Sequence, residues 1–374
     1  MNSILLIFLF INGLYFLGLL ALRLAYTKKE DEASADYFPT VAVVITARNE
    51  SENVKTLLQS LGALDYPKER LHIYLWEDNS EENTWELFHQ HTQSLPFSYT
   101  LQKVPEGVFS AKKWAIEQTT SATNAEILLL SDADCKLPSG WVKAMVAPFA
   151  HEENHMVIGP VTYFQTERLF SRLQVIEFAS LVATGIASAK AGKPTMCNAA
   201  NLAFRRISFL EMGGYSQWQE HVGGDDELLL YAMHEKWPGS VAVCSSAQVL
   251  VETHAASSWS EFWHQRIRWA SKWNRFQRAR IIALALAVFS FHAMWCLAYA
   301  SVFVWPEMGW LLGLIFMLKA SGEALLLYPV LKSWNRSVSM IHMILASFLY
   351  PFYAVLIGIA SNFTAFNWKG KRYV

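Results

Sequence analysis

Cysteine is scarce and scattered in this 374-residue chain: Cys135, Cys197, Cys244 and Cys296 lie far apart, and no C-x-x-C pair occurs. That excludes a disulfide framework and a cysteine-rich zinc site, and it fits a reducing compartment. Charge is scarce too. Only 17% of residues are charged and the net charge is −1, which excludes the basic footprint of a nucleic-acid-binding protein. Internal repeats and low-complexity tracts are absent. The N-terminus lacks the basic start and small-residue cleavage site of a secretory signal, so its apolar run is expected to be an uncleaved anchor.

What is abundant is apolar surface. Apolar residues make up 53% of the chain, with 15 Trp, 14 Tyr and 23 Phe, and they concentrate at the two ends. Residues 3–25 form one run; three more follow at about 281–305, 309–330 and 338–362. About 20 apolar residues span the hydrocarbon layer, and these runs are apolar on every face, unlike the helices of a soluble core. The expected organisation is an N-terminal transmembrane anchor over 1–26, a soluble domain over 37–280, membrane helices over 281–362 and a basic tail over 363–374.

Flanking charge sets the orientation. Arg23, Lys28 and Lys29 leave the first run on the domain side; Lys272, Arg275, Arg278 and Arg280 precede the second; Lys332 and Arg336 lie between the third and fourth. A multi-pass cell-membrane protein with a cytosolic domain and an external N-terminus follows. Lys369, Lys371 and Arg372 would be external if all four runs crossed. Pro351 divides the last run, and a re-entrant path there would remove the conflict. Lys319 and Glu323, one turn apart within the third run, read as a mutually neutralising packing pair in preference to a transport element.

Between about 37 and 280, short apolar strands alternate with amphipathic helices. Strands are expected at Val41–Thr46, Leu71–Glu77, Phe97–Val104 and Glu126–Ser131, with helices at about 51–63, 82–92 and 110–119. This alternation predicts an α/β domain with a doubly wound, mostly parallel sheet, whose ligands bind beyond the carboxyl ends of the strands. In residues 166–190, Leu169, Phe170, Leu173, Ile176 and Leu181 recur at roughly helical spacing with Arg168, Arg172 and Glu177 between them, which reads equally well as a core-facing helix or as a helix in the membrane interface.

Polar clusters sit at those strand ends. Asp132 and Asp134 follow the fourth strand, and a carboxylate pair there can hold a hard cation such as Mg²⁺ against a diphosphate; alone, a D-x-D reads better as a turn. Asp225, Asp226 and Glu227 follow two glycines and precede a helix. One could cap it, or crowding could raise a carboxylate pKa enough for a general base. Lys112, at a helix start, can meet phosphate. The stretch Gln265-Arg266-Ile267-Arg268-Trp269 can form a basic juxtamembrane collar, or bind diphosphate through Arg and stack a sugar on Trp. His221 and His254 read as solvated or core histidines rather than metal ligands.

Taken together and in order, these residues resemble glycosyltransferase family 2, in particular its membrane-bound branch of cellulose, chitin and hyaluronan synthases and ceramide glucosyltransferase. The motifs are Thr46-Ala47-Arg48-Asn49-Glu50, Glu77-Asp78-Asn79-Ser80, Ala111-Lys112-Lys113-Trp114-Ala115-Ile116, Asp132-Ala133-Asp134, Gly224-Asp225-Asp226-Glu227 and the Q-x-x-R-W set Gln265 to Trp269. The resemblance implies an A-type glycosyltransferase fold, a UDP-sugar donor, Mg²⁺ or Mn²⁺, and inversion at the anomeric carbon.

By the same resemblance, Thr46, Arg48, Glu50, Asp78, Lys112 and Asp132 serve the donor, and Asp132 with Asp134 the metal. Asp226 or Asp225 acts as base, while Gln265, Arg266, Arg268 and Trp269 serve the acceptor and diphosphate. Gly-Asp-Asp-Glu replaces the commoner Thr-Glu-Asp, which leaves the choice between Asp225 and Asp226 open. Glu-Asp-Asn stands where Asp-Asp-Gly or Asp-Asp-Ser is commoner. The expected partners are membrane lipids and a lipid-linked or glycan acceptor, with a homo-oligomer or partner subunits compatible. Alternatives are a processive polysaccharide synthase and an inactive assembly subunit that only binds nucleotide sugar.

Overall fold

The computed structural model describes residues 2–30, 37–165, 167–218, 223–271, 278–364, 366–368 and 371–373. In chain order its elements begin with α1 (Asn2–Tyr26), β1 (Val41–Ala47), α2 (Val54–Gly62), β2 (Leu71–Glu77), α3 (Thr84–His91) and β3 (Ser98–Lys103). There follow α4 (Ala111–Ala122), β4 (Ile127–Asp132), α5 (Trp141–Val146), β5 (Met156–Ile158), β6 (Val161–Tyr163) and α6 (Leu169–Lys190). Next come β7 (Leu202–Arg205), α7 (Arg206–Glu211), α8 (Asp225–Lys236), β8 (Val241–Val243), β9 (Val251–Thr253) and α9 (Trp259–Ala270). The chain closes with α10 (Ala279–Ser301), α11 (Gly309–Ser333), α12 (Met340–Ala360), β10 (Phe366–Trp368) and β11 (Lys371–Tyr373).

These elements form two compact units. Tyr26–Phe164 with Leu181–His254 make the α/β unit. It is built on a seven-stranded sheet of order β3-β2-β1-β4-β7-β5-β8. The first four strands pair in parallel, and β7 runs antiparallel to both β4 and β5. The expected mostly parallel sheet is therefore present. The central strands explain themselves: every residue of Ile127–Ser131 is buried and so are Val41–Ile45, as runs covered on both faces must be.

The other unit comprises Met1–Ala25, Gln165–Ser180 and Ala255–Val374. Among the described residues, five helices are long and apolar enough to cross a membrane: Ser3–Tyr26, Leu169–Lys190, Ala279–Ser301, Pro306–Ser333 and Met340–Ala360. Phe8, Phe291, Trp295, Leu312 and Ile315 pack together between α1, α10 and α11. A Cβ on Gly322 would lie 2.9 Å from the Phe16 ring, so α1 and α11 approach closely. Many large apolar side chains on the same helices face outward, among them Ile4, Phe10, Leu286 and Leu297. Such a surface needs a lipid solvent.

Two helices hold buried charge. Residues 174–179 of α6 are all buried, Glu177 included. Its charge is satisfied by an arginine inside the protein instead of by water. Pro351 does not end a helix: α12 is one 21-residue element that contains it. Proline removes the N–H that would bond the carbonyl four residues earlier. Here that carbonyl belongs to Ser347, and the Lys319 ammonium takes it at 2.9 Å. Lys319 also bonds Ser347 Oγ at 2.9 Å and Glu323 at 2.8 Å, and Tyr15 donates to Glu323 at 2.9 Å. The Lys319–Glu323 packing pair is thus joined to the repair of a proline-broken ladder.

Candidate active site

The α/β unit brings its polar clusters to one edge of the sheet. Parallel pairing sets Thr46 of β1 opposite Trp76 of β2 and Asp132 of β4, so the carboxyl ends of three strands lie side by side. Asp78 follows β2 and donates its backbone N–H to Ala47 O at 2.8 Å. Thr46 Oγ1 is buried with no hydrogen-bond partner, a polar atom left open at the centre of this edge.

The two first turns are tied together. Arg48 donates to the carbonyl oxygens of Asp78 (2.7 Å) and Asn79 (3.0 Å), and its guanidinium lies 3.9 Å from the Asp78 carboxylate. Asn49 and Asn79 both adopt left-handed backbone, with φ of 54° and 48°, which asparagine tolerates better than most residues. Asn49 N–H donates to Ser80 Oγ, while Glu81 N–H donates to Asn49 Oδ1. Glu50 is buried, accepts from Asn53 Nδ2 at 2.7 Å, and donates its N–H to Thr84 Oγ1 at 3.1 Å. Arg48 and Glu50, expected at the donor, therefore also brace the loops that carry Asp78.

Lys112 joins the remaining clusters. Near the start of α4, its ammonium makes a short hydrogen-bonded ion pair with Asp132 and lies 3.8 Å from Asp225. Burial alone would pull its pKa down; Asp132, then Asp225 and Asp226, more than offset that and hold it above the usual lysine range. Residues separated by more than a hundred positions thus meet around one cation. Asp134, two residues on in the same turn, accepts from Thr253 Oγ1 at 3.0 Å.

The acidic triplet is not a helix cap. The N-cap of α8 is Gly224, left-handed at φ 69°, and no side chain caps it; the glycine admits a turn that aims Asp225 and Asp226 from the first helical turn. Carboxylates there are favoured by the helix N-terminus. Asp226 Oδ1 accepts from the Glu227 N–H at 2.8 Å and Oδ2 from the Ala199 N–H at 3.4 Å.

Some of the framing residues carry no signal in the sequence. Lys113 is buried and donates to Trp218 O at 3.0 Å, and Glu117 accepts from the Tyr215 N–H at 2.9 Å. Tyr215 in turn donates to Asp225 O at 3.1 Å. Its hydroxyl pKa is raised by burial first and then by Asp225 and Asp226. Ala199, an apolar residue of a small-residue loop, contributes only its backbone. His254 is exposed and rests against Phe164, in line with the solvated reading, while His221, Lys272, Arg275 and Lys369 lie outside the described residues.

Gln265, Arg266, Arg268 and Trp269 lie on α9, in the apolar unit. Arg266 does not offer its guanidinium to a ligand: it is 1% exposed and paired with Glu177 at 2.5 Å. Its expected place at the diphosphate is corrected accordingly, since a buried arginine already bound to a carboxylate has little left for an anion.

The residues at this edge suit a hard divalent cation. Asp132 and Asp134 provide carboxylate oxygens, and the Asp132 side chain stays 40% exposed. Among the described residues no group of three or more His, Cys, Asp or Glu side chains forms a closed metal cage. An ion held here would therefore share its shell with oxygens from elsewhere.

Comparison with known proteins places this architecture. Residues 39–271 match the model for glycosyltransferase-like family 2, more than half of the chain, and the chain belongs to that family. A beta-monoglucosyldiacylglycerol synthase of Synechocystis sp. is 25% identical over 271 residues, covering 68% of this chain and 53% of that enzyme. A poly-beta-1,6-N-acetyl-D-glucosamine synthase of Staphylococcus aureus is 21% identical over 266 residues, covering 71% and 61%. The chain thus spans little more than half the length of the curated relatives it matches. Among solved structures, the mannosyltransferase PcManGT of Pyrobaculum calidifontis, in complex with GDP-Man and Mn²⁺, superposes with a TM-score of 0.57. It covers 94% of this chain and 95% of its own at 14% identity, a likeness of fold.

Proposed function

We propose that the chain is a membrane-bound inverting glycosyltransferase that moves a sugar from a UDP-sugar to a lipid-linked or cell-envelope glycan acceptor. The observation that carries this reading is the meeting of Asp132 and Asp225 on Lys112 at the carboxyl edge of the sheet, beside Thr46 and Asp78. The printed names of the two relatives, a glucosyldiacylglycerol synthase and a poly-N-acetylglucosamine synthase, support a glycolipid or envelope-glycan acceptor.

In this reading Asp78 and Glu50 hold the uridine, and Arg48 fixes the loop that presents Asp78. Lys112, kept protonated by its carboxylates, balances charge at the diphosphate. Asp132 and Asp134 would hold Mg²⁺ or Mn²⁺, which when bound neutralises the leaving diphosphate. Asp225 is engaged with Lys112, so Asp226, oriented by two backbone N–H groups, is assigned as the base that takes the acceptor hydroxyl's proton. The hydroxyl oxygen forms a bond to the anomeric carbon as the bond to the diphosphate breaks, and in-line geometry inverts the centre. Gln265, Arg268 and Trp269 are assigned to the diphosphate and acceptor. One or a few sugars are transferred: helices about 10 Å wide give little wall for a polymer channel within one chain.

The orientation proposed is a cytosolic α/β unit with an external N-terminus. Gln165, just before α6, donates to Ser337, just before α12, and after α12, β10 packs beside α9, the helix that precedes α10. The basic flanks Arg23, Lys28, Lys29, Lys332 and Arg336 support this orientation. UDP release from a panel of UDP-sugars, by purified protein with lipid acceptors, tests the reading, and product length separates single transfer from polymerisation.

A further inference from the structure

The buried ion pair that takes Arg266 out of the diphosphate site has a geometry of its own. Arg266 Nε and Nη2 donate to the two Glu177 carboxylate oxygens at 3.2 and 2.5 Å. Its Nη1 donates to the side-chain oxygen of its neighbour Gln265. The guanidinium carbon lies over two rings, 4.6 Å from the centre of Phe262 and 4.3 Å from that of Trp269. Trp269 is backed on another side by Phe178, stacked at 5.7 Å and 29°. Tyr353 of α12 donates to Glu177 Oε1 at 3.1 Å, and Ile357, one turn on, packs against Ile267. Three helices, α6, α9 and α12, thus converge on one carboxylate.

A buried pair of this kind is an expensive way to gain stability, because both charges must leave water. What it gives here is direction. A planar guanidinium has fixed donor vectors, so with Glu177 holding one edge, the remaining edge fixes the Gln265 amide and one face fixes the Trp269 indole. We infer that Glu177, Arg266 and Tyr353 form a positioning clamp that sets the side chains of Gln265 and Trp269 for the transfer reaction. Arg266 itself touches no substrate. The inference rests on the assignment of Gln265 and Trp269 to the acceptor and diphosphate made above. It also gives α12 a part in the reaction, since Tyr353 closes the clamp from a membrane helix.

The test uses the full chain in detergent, with two readouts: the steady-state kinetics of UDP release, and hydrogen exchange of the backbone over 259–270 compared with 127–132. Glu177→Gln keeps the shape and removes the charge. It is expected to lower kcat roughly 10- to 100-fold, as a displacement of about 1 Å can, with less than about a threefold change in KM for the sugar nucleotide. Exchange over 259–270 should quicken while 127–132 stays protected. Tyr353→Phe, the milder change, should give the same pattern at roughly two- to fivefold, and Glu177→Asp should restore most of the loss. Unchanged exchange over 259–270 in Glu177→Gln overturns the clamp, whatever the activity. Faster exchange with undiminished kcat overturns the role of Gln265 and Trp269 in transfer, and leaves only a stabilising pair. If the wild type releases UDP from no donor, the functional reading fails while the exchange comparison still decides the clamp.

Discussion

A single ammonium carries most of the burden at the candidate site. Lys112 is partly buried among carboxylates, and its pKa is held up despite burial. A folded pKa above the unfolded one means that the stabilisation is fully present below the ordinary lysine value of about 10.4. It is lost as pH rises through the higher folded value. Lys112→Met should therefore melt lower than the wild type by a gap that stays level from about pH 7 to about pH 9 and narrows only in strong alkali; differential scanning fluorimetry reads this directly, and a gap that closes near neutrality contradicts it. The thiols behave in the opposite sense. Cys135 is raised by burial and then by Asp134 and Asp132, and Cys244 is raised to about 12, chiefly by burial. Neither should react with a maleimide at pH 8 in the folded protein, which mass spectrometry of labelled peptides would show.

The individual site residues were legible in the sequence because chemistry-bearing types stood at strand ends. Asp78, Asp132 and Asp225 each follow or precede an apolar run whose period was clear. Their convergence was not legible, since it depends on strand order, and neither were Lys113, Glu117 or the backbone of Ala199. The burial of Arg266 was not legible either: a charged residue in a basic stretch gives no sign of being buried until its partner is known, and Glu177 lies 89 positions away.

At the scale of elements, the strands were predicted well because central parallel strands are unbroken apolar runs, and β2 spans Leu71–Glu77 as expected. Helix α12 shows the opposite case. Proline rules derived from water-exposed helices predict a break at Pro351, yet the helix continues because Lys319 supplies the missing donor to Ser347 O. The two residues should therefore be coupled. Lys319→Met should destabilise the detergent-solubilised protein by several kcal/mol, since it strands the Glu323 carboxylate as well as the Ser347 carbonyl. In a Pro351→Ala background, where the helix can bond its own carbonyl, the loss should be smaller by about 1 kcal/mol. Strict additivity in that double-mutant cycle would show that the carbonyl does not need the lysine.

For the whole molecule, the apolar helices and the α/β unit answer different questions. The former carry outward-facing Ile, Leu and Phe of the kind that lipid covers; the latter carries the candidate site. A cysteine introduced at Lys332, on a basic flank of the proposed cytosolic side, should be labelled by an impermeant reagent in inverted membrane vesicles and protected in intact cells. Labelling of the Lys332→Cys variant from outside would contradict the proposed orientation.

The central claim is that Asp226 acts as the base for transfer from a nucleotide sugar bound at the carboxyl edge of the sheet. Its most direct test is UDP release by purified full-length protein, wild type against Asp226→Asn, with binding of the same UDP-sugar measured in parallel. Turnover in the variant should fall roughly 100- to 10,000-fold, the range of general-base catalysis, with UDP-sugar affinity within about threefold of the wild type. Undiminished turnover in Asp226→Asn would contradict it.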